Sequence, residues 1–178
     1  MMHIKQLPPR IESVAREQLM SPCTGMVTSS TSVACVGADG NATVYGVDAE
    51  GMRITHMIPG LSAVVSMHDD LLLARDQSNE QEVVLLDTSA GSVATPLARF
   101  VACNAHVNEG VVHAIEAWDG EPALVKYRVS SGVDRGVVRQ IPRRLADVSD
   151  EGAVNFEMAH SDGQAMVMAR MSQQLWVM

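Results

Sequence analysis

The chain has 178 residues, enough for one domain, or two small ones, to bury a core without help from disulfides or metals. Its composition, with 47% hydrophobic and 19% charged residues, argues against extended disorder. The net charge of -8, the scattered basic residues and an aromatic content of only 3% argue against nucleic acid and carbohydrate as partners.

The N-terminal residues differ in pattern from the rest of the chain. Residues 2–7 include a short candidate strand, Pro8 and Pro9 prevent a helix there, and residues 11–20 carry apolar residues at helical intervals before Pro22. We therefore predict two parts: an N-terminal arm with a short helix, residues 1–22, and a β-repeat domain, residues 23–178.

The start of the chain lacks the apolar core of a signal peptide, and no run of about 18 apolar residues is long enough to span a membrane. Cys23, Cys35 and Cys103 are an odd number without close spacing, and Cys35 lies in an apolar run where a thiol behaves as a small hydrophobe. A reducing compartment is the simplest interpretation. We expect a protein of the cytoplasm, or of a particle assembled there, that does not contact a membrane.

From residue 25 onward, short β-branched runs alternate with Asp-Gly, Asn-Glu-Gly and Ser-Gly turns, a pattern typical of short antiparallel strands. An apolar run followed by a second strand and a glycine turn recurs about every 40 residues. About fifteen candidate strands group in fours over residues 26–58, 63–99 and 101–141, and the last group, residues 154–178, has only three. We expect residues 2–7 to supply its missing strand, because pairing removes an exposed sheet edge.

In this repeat, residues 25–178 resemble the β-propeller repeat proteins, the broad kind that includes kelch and quinoprotein-like blades. The resemblance implies an all-β fold of antiparallel four-stranded repeats, arranged like the blades of a propeller, behind the N-terminal arm. Four blades is near the lower limit of such rings, so a second copy or a partner could complete a larger one. A β-sandwich with Greek-key links has the same strand density and is the alternative.

Three histidines each close the first strand of their repeat and lead into an acidic turn: His68 with Asp69 and Asp70, His106 before Glu109, and His160 before Asp162. If the first strands line a central channel, as they do in propellers, these histidines converge at its mouth as a metal or anion site. The alternative is that each histidine bonds a neighbouring backbone carbonyl. The sequence contains no zinc spacing and no Gly-x-Ser-x-Gly motif, so we expect no catalytic residue, no cofactor and no enzyme.

The arm and two later segments are candidate contacts with other protein chains. Residues 142–152 interrupt the repeat with a charged loop that we expect to protrude, and the C-terminus is apolar to its last residue, as in a segment paired within a sheet or docked on a partner. The candidate contact residues are Ile4, Leu7, Ile11, Leu19, Arg143, Arg144 and Trp176.

These patterns favour a non-catalytic structural or docking component of a larger assembly, whose partners are other protein chains or copies of itself. A virion or phage-tail accessory protein is one concrete form. The first alternative is an enzyme that binds a small ligand or metal at the mouth of a propeller channel, with the acidic residues beside the histidines as acids or supporting groups. The second is a regulatory domain that binds a peptide.

Overall fold

The computed structural model describes residues 22–89, 93–132, 135–144, 155–161, 164–171 and 174–177, and for residues 143–144 and those after 154 it describes the backbone. These residues form sixteen strands in four separate antiparallel sheets. Residues 1–21 of the N-terminal arm, with its predicted helix and closing strand and with Ile4, Leu7, Ile11 and Leu19, lie outside the described residues. The described part contains no helix long and apolar enough to cross a membrane.

Each sheet is built from strands that are consecutive in the chain. The first contains β1 (Cys23–Thr28), β2 (Ser32–Gly37), β3 (Asn41–Asp48) and β4 (Gly51–Pro59). The second contains β5 (Leu61–His68), β6 (Leu71–Asp76), β7 (Glu82–Asp87) and β8 (Thr95–Val101). The third contains β9 (Asn104–Asn108), β10 (Val111–Trp118), β11 (Glu121–Val129) and β12 (Val137–Arg139), with β13 (Arg143–Arg144) also pairing with β11. The fourth contains β14 (Asn155–Ser161), β15 (Gln164–Met171) and β16 (Gln174–Val177).

The hairpins follow from the turn residues. Glu109 and Gly110 connect β9 to β10 with φ of 47° and 71°, and Asp119 and Gly120 connect β10 to β11 with φ of 52° and 81°. Two successive positive φ values are the mark of the type I′ turn, whose twist matches that of the flanking strands. The predicted Asn-Glu-Gly and Asp-Gly turns are therefore confirmed.

One backbone hydrogen bond recurs in the first three sheets and ties the end of the third strand to the first turn. The N–H of Val47 donates to the carbonyl of Thr31, that of Thr88 to Asp70, and that of Val129 to Gly110, each at 2.8 Å. This repetition agrees with the sequence period of about 40 residues.

The core lies between successive sheets. One buried cluster joins the first sheet to the second and includes Val44, Leu72 and Val84, while another joins the second to the third and includes Leu73 and Leu85. Each of these five side chains is at most 2% exposed. Both faces of the second sheet are thus buried, which explains why β6 and β7 are nearly continuous apolar runs.

The first strands of successive sheets lie beside each other: β5 contacts β1 and β9, and β9 contacts β14. Within the described residues, β14 and β1 do not pack together to a comparable extent, so the sheets are not closed into a ring. The predicted fold class is confirmed as all-β, with antiparallel four-stranded repeats in a propeller-like arrangement. A β-sandwich would have shown two large sheets instead of four small ones.

Two strand pairings bear on the predicted protruding loop and on the predicted C-terminal segment. Arg143 and Arg144 pair with Leu124 and Ala123, so they extend the third sheet and correct the expectation that the protruding loop begins at residue 142. Trp176 pairs with Ala169 of β15, which confirms that the C-terminal run is paired within a sheet.

Cys35 is joined to Cys23 by a disulfide, with 5.9 Å between the two Cα atoms. The adjacent strands β1 and β2 bring the two cysteines together. The expectation that Cys35 is an isolated thiol is therefore wrong.

Candidate binding site on the turn face

The side of the sheets that carries the β1–β2, β5–β6 and β9–β10 turns, here called the turn face, has two adjoining clefts. The first cleft, about 580 Å³, lies between the first and second sheets. The second cleft, about 220 Å³, lies between the second and third sheets. Asp69, Asp70 and Arg135 line both clefts, so the two adjoin and together extend across three sheets.

Arg135 is the residue at the junction of the clefts. It follows β11, and its guanidinium donates two hydrogen bonds to the Asp70 carboxylate at 3.0 and 2.7 Å, while its Nε lies 3.4 Å from Asp87. Burial acts to raise the pKa of Asp70, but the Arg135 bonds outweigh it, and the pKa lies below its ordinary value of 3.8. The same hydrogen bonds raise the pKa of Arg135. This arrangement fixes the third sheet's loop against the second sheet.

Asp69 presents a second carboxylate between the clefts. It begins the β5–β6 turn in the left-handed region, with φ of 49°, and its side chain is 68% exposed. Its Oδ2 lies 3.6 Å from Nε2 of His68, and no arginine or lysine in the described part of the chain forms an ion pair with it. Asp69 therefore contributes negative charge that no such ion pair neutralises.

His56 lines the first cleft from β4. It is in register with Val44, whose side chain belongs to the core between the first two sheets, so His56 lies on the face directed at the second sheet. The ring is only 4% exposed. Its Nδ1 lies 3.1 Å from the Thr55 hydroxyl, and its Nε2 is buried with no hydrogen-bond partner among the described residues.

The structure brings together only some of the predicted site residues. His68 and Asp69 line the second cleft together with Asp70. His160 belongs to β14, where the backbone alone is described, and Asp162 lies outside the described residues. No group of three or more His, Cys, Asp or Glu side chains in the described ranges is arranged to hold a metal ion.

The expectation that His106 closes the first strand of its repeat is wrong. The turn consists of Glu109 and Gly110 alone, so β9 continues to Asn108 and His106 lies in its middle. Its Nδ1 is 2.9 Å from the hydroxyl of Ser66, which also accepts the N–H of Val107 at 3.2 Å. His106 is thus part of the contact between β9 and β5, and it does not line either cleft.

Sequence reasoning missed Arg135 and His56. Arg135 stands in an unremarkable Asp-Arg-Gly loop, and its partner Asp70 is 65 residues away, so no local pattern links them. His56 had no clear signal in the sequence, because a β-bulge before it interrupts the alternation of β4 and leaves the nearby apolar residues Ile54 and Met57 exposed.

A third cleft, about 690 Å³, lies between the second and third sheets and includes Arg75, Gln81 and Cys103 in its lining. Its arginine is already engaged in the fold, because Arg75 donates to the backbone carbonyls of Glu80 at 2.7 Å, Ala102 at 3.3 Å and Cys103 at 2.8 Å. Burial raises the pKa of the Cys103 thiol, which disfavours the reactive thiolate. The turn face is therefore the stronger candidate site.

No protein-family model and no curated protein sequence matches the chain. Among solved structures, the crystal structure of the computationally designed Ika4 protein is similar, with a TM-score of 0.53 and 14% identity over 94% of this chain and 99% of that one. The WD40 beta propeller domain of Doa1 gives a TM-score of 0.42 and 14% identity over 86% of this chain and 62% of that one. The first likeness concerns the fold alone, and the second is too small to carry an argument.

Proposed function

We propose that this chain is a non-catalytic docking protein that binds another protein chain across the turn face. The observation that carries this proposal is that the two adjoining clefts together extend over three sheets. An elongated open depression accommodates an extended segment of a protein better than it encloses a small substrate. Arg135, which holds the loop between the clefts, would keep this surface in one shape before the partner arrives.

The charge of the turn face indicates the kind of partner. Asp69, Asp70, Asp87 and Glu109 lie in or beside the clefts, and Arg135 offsets only part of their charge. Oppositely charged surfaces speed association and select among partners. The partner segment would therefore be basic. The narrower role in a virion or phage tail stays a prediction.

Selection from a random peptide library on the immobilised full-length protein tests the proposal. We expect enrichment of basic peptides, and protection of turn-face amides, such as those of Asp69 and Glu109, from hydrogen exchange when a selected peptide is added. Asp69→Asn should weaken binding, whereas the control Gln81→Ala, in the third cleft, should not. The proposal would be contradicted if the peptide protected only amides of the third cleft from exchange, or if Asp69→Asn left the peptide affinity unchanged.

A further inference from the structure

His56 is a buried polar group whose free nitrogen the fold does not use. An imidazole nitrogen removed from water without a hydrogen bond costs free energy, so such atoms are rare in native cores. Nε2 of His56 is in this position within the described residues, and His56 is one of the residues that line the first cleft. A ligand entering that cleft can supply the missing partner.

The neighbouring hydroxyl determines which bond Nε2 can make. The Thr55 hydroxyl donates its single hydrogen to the carbonyl of Val44, at 3.1 Å, and can therefore only accept from His56. Nδ1 of His56 accordingly carries the hydrogen that lies 3.1 Å from Thr55. In the neutral ring Nε2 is then an acceptor, and its natural partner is an N–H or O–H donor.

The other charged groups of the first cleft also favour a ligand that donates hydrogen bonds and carries a positive charge. The Asp69 carboxylate lacks an arginine or lysine partner in the described part of the chain, and the donors of Arg135 are directed at Asp70 and Asp87. An anion is disfavoured here, because the carboxylates would repel it and the arginine is already paired with Asp70 and Asp87. A cation with several N–H groups would satisfy both Asp69 and His56.

We infer that the first cleft receives a cationic side chain, lysine or arginine, of the docked protein, with Nε2 of His56 accepting one of its hydrogen bonds. This inference rests on the proposed docking function and names the chemistry that the turn face recognises. The cleft, at about 580 Å³, has room for the end of such a side chain. Because Nε2 itself is covered, the His56 ring must shift slightly as the cation enters.

The test uses nitrogen NMR on the uniformly ¹⁵N-labelled full chain. The probes are Nα-acetyl-lysine amide and Nα-acetyl-arginine amide, and the uncharged control is Nα-acetyl-norleucine amide. We expect free His56 to show Nε2 without a proton, and its signal to move on adding a cationic probe but not on adding the control. The ring signals of His113, buried in β10 of the third sheet, serve as the internal reference.

Two variants extend the test. His56→Phe should weaken binding of the cationic probe about tenfold, the effect expected of one hydrogen bond to a charged group. His56→Gln, whose side-chain oxygen can accept, should retain part of the affinity. Thermal unfolding of both variants, followed by circular dichroism, establishes that each is folded at the temperature of the titration.

Three outcomes would overturn the inference: a proton on Nε2 in the free protein, equal binding of norleucine and lysine probes, or probe binding that leaves His56 unmoved. If library peptides protect the turn face but need no basic residue, the inference fails and the docking function stands. If no peptide protects the turn face and no probe binds, both fail.

Discussion

Replacing Arg135 by methionine should destabilise the protein, because it removes the bidentate contact between the third sheet's loop and Asp70. The stem of the side chain is kept, so the loss is electrostatic rather than a loss of packing. Fully buried charge-assisted hydrogen bonds contribute about 1.5–3 kcal/mol and exposed ion pairs about 0–1 kcal/mol. The Arg135 and Asp70 side chains are 20% and 31% exposed, which places the expected cost between these limits, at roughly 1–2 kcal/mol.

The assay is a double-mutant cycle of Arg135→Met and Asp70→Asn, with unfolding by urea at pH 7. We expect a coupling energy of about 1 kcal/mol between the two side chains. The pKa of Asp70 is lower in the folded protein than its ordinary value of 3.8, so the contact contributes fully above that value and is lost as the pH falls through the folded pKa. The stability difference between the parent and Arg135→Met should therefore shrink in acid.

A coupling energy below about 0.3 kcal/mol would refute this reasoning, since it is the uncertainty within which independent mutations add. A stability difference that stays constant as the pH falls through the titration of Asp70 would refute it as well, because the loss would then come from the loop conformation.

Gly40→Ala and Gly120→Ala should each cost about 1 kcal/mol in urea unfolding, since φ is 75° and 81° at these positions. The two costs should be similar, because the atoms nearest a Cβ at Gly40 belong to the end of an exposed glutamine side chain that can move aside, and nothing lies within 4 Å at Gly120; a much larger cost at Gly40 would show that this side chain is held in place. NMR titration of Asp76 should give a pKa of about 2, and Ser78→Ala should raise it more than Arg99→Ala, because the Ser78 hydrogen bond is the largest cause of the shift. A larger effect of Arg99→Ala would mean that the exposed ion pair dominates.

The four-sheet organisation could be predicted because each sheet is made of consecutive hairpins. A strand such as β7 is an apolar run with a clear end, and a turn such as Glu109–Gly110 is visible in a few adjacent residues. In such a fold, the pairing of strands follows the order of the chain, so local pattern and topology carry the same information.

The candidate site could not be predicted in the same way, because it forms where different sheets meet. The contact of Arg135 with Asp70 depends on how the third sheet lies against the second, and no periodicity encodes that. The misplacement of His106 has a local cause: a strand that closes at His106 assigns Val107 and Asn108 to the turn, whereas a type I′ turn needs only Glu109 and Gly110.

The backbone hydrogen bond that ties the first turn to the third strand in each of the first three sheets has a consequence for synthesis. Because its two ends lie less than about 20 residues apart, each sheet can form soon after it leaves the ribosome, without waiting for the rest of the chain. The apolar face of the first sheet, however, stays uncovered until β5, β6 and β7 have been made, because the second-sheet residues that pack on it lie in those strands. Nascent chains in which β7 is still inside the ribosome and chains in which it has emerged should therefore differ sharply in their resistance to protease.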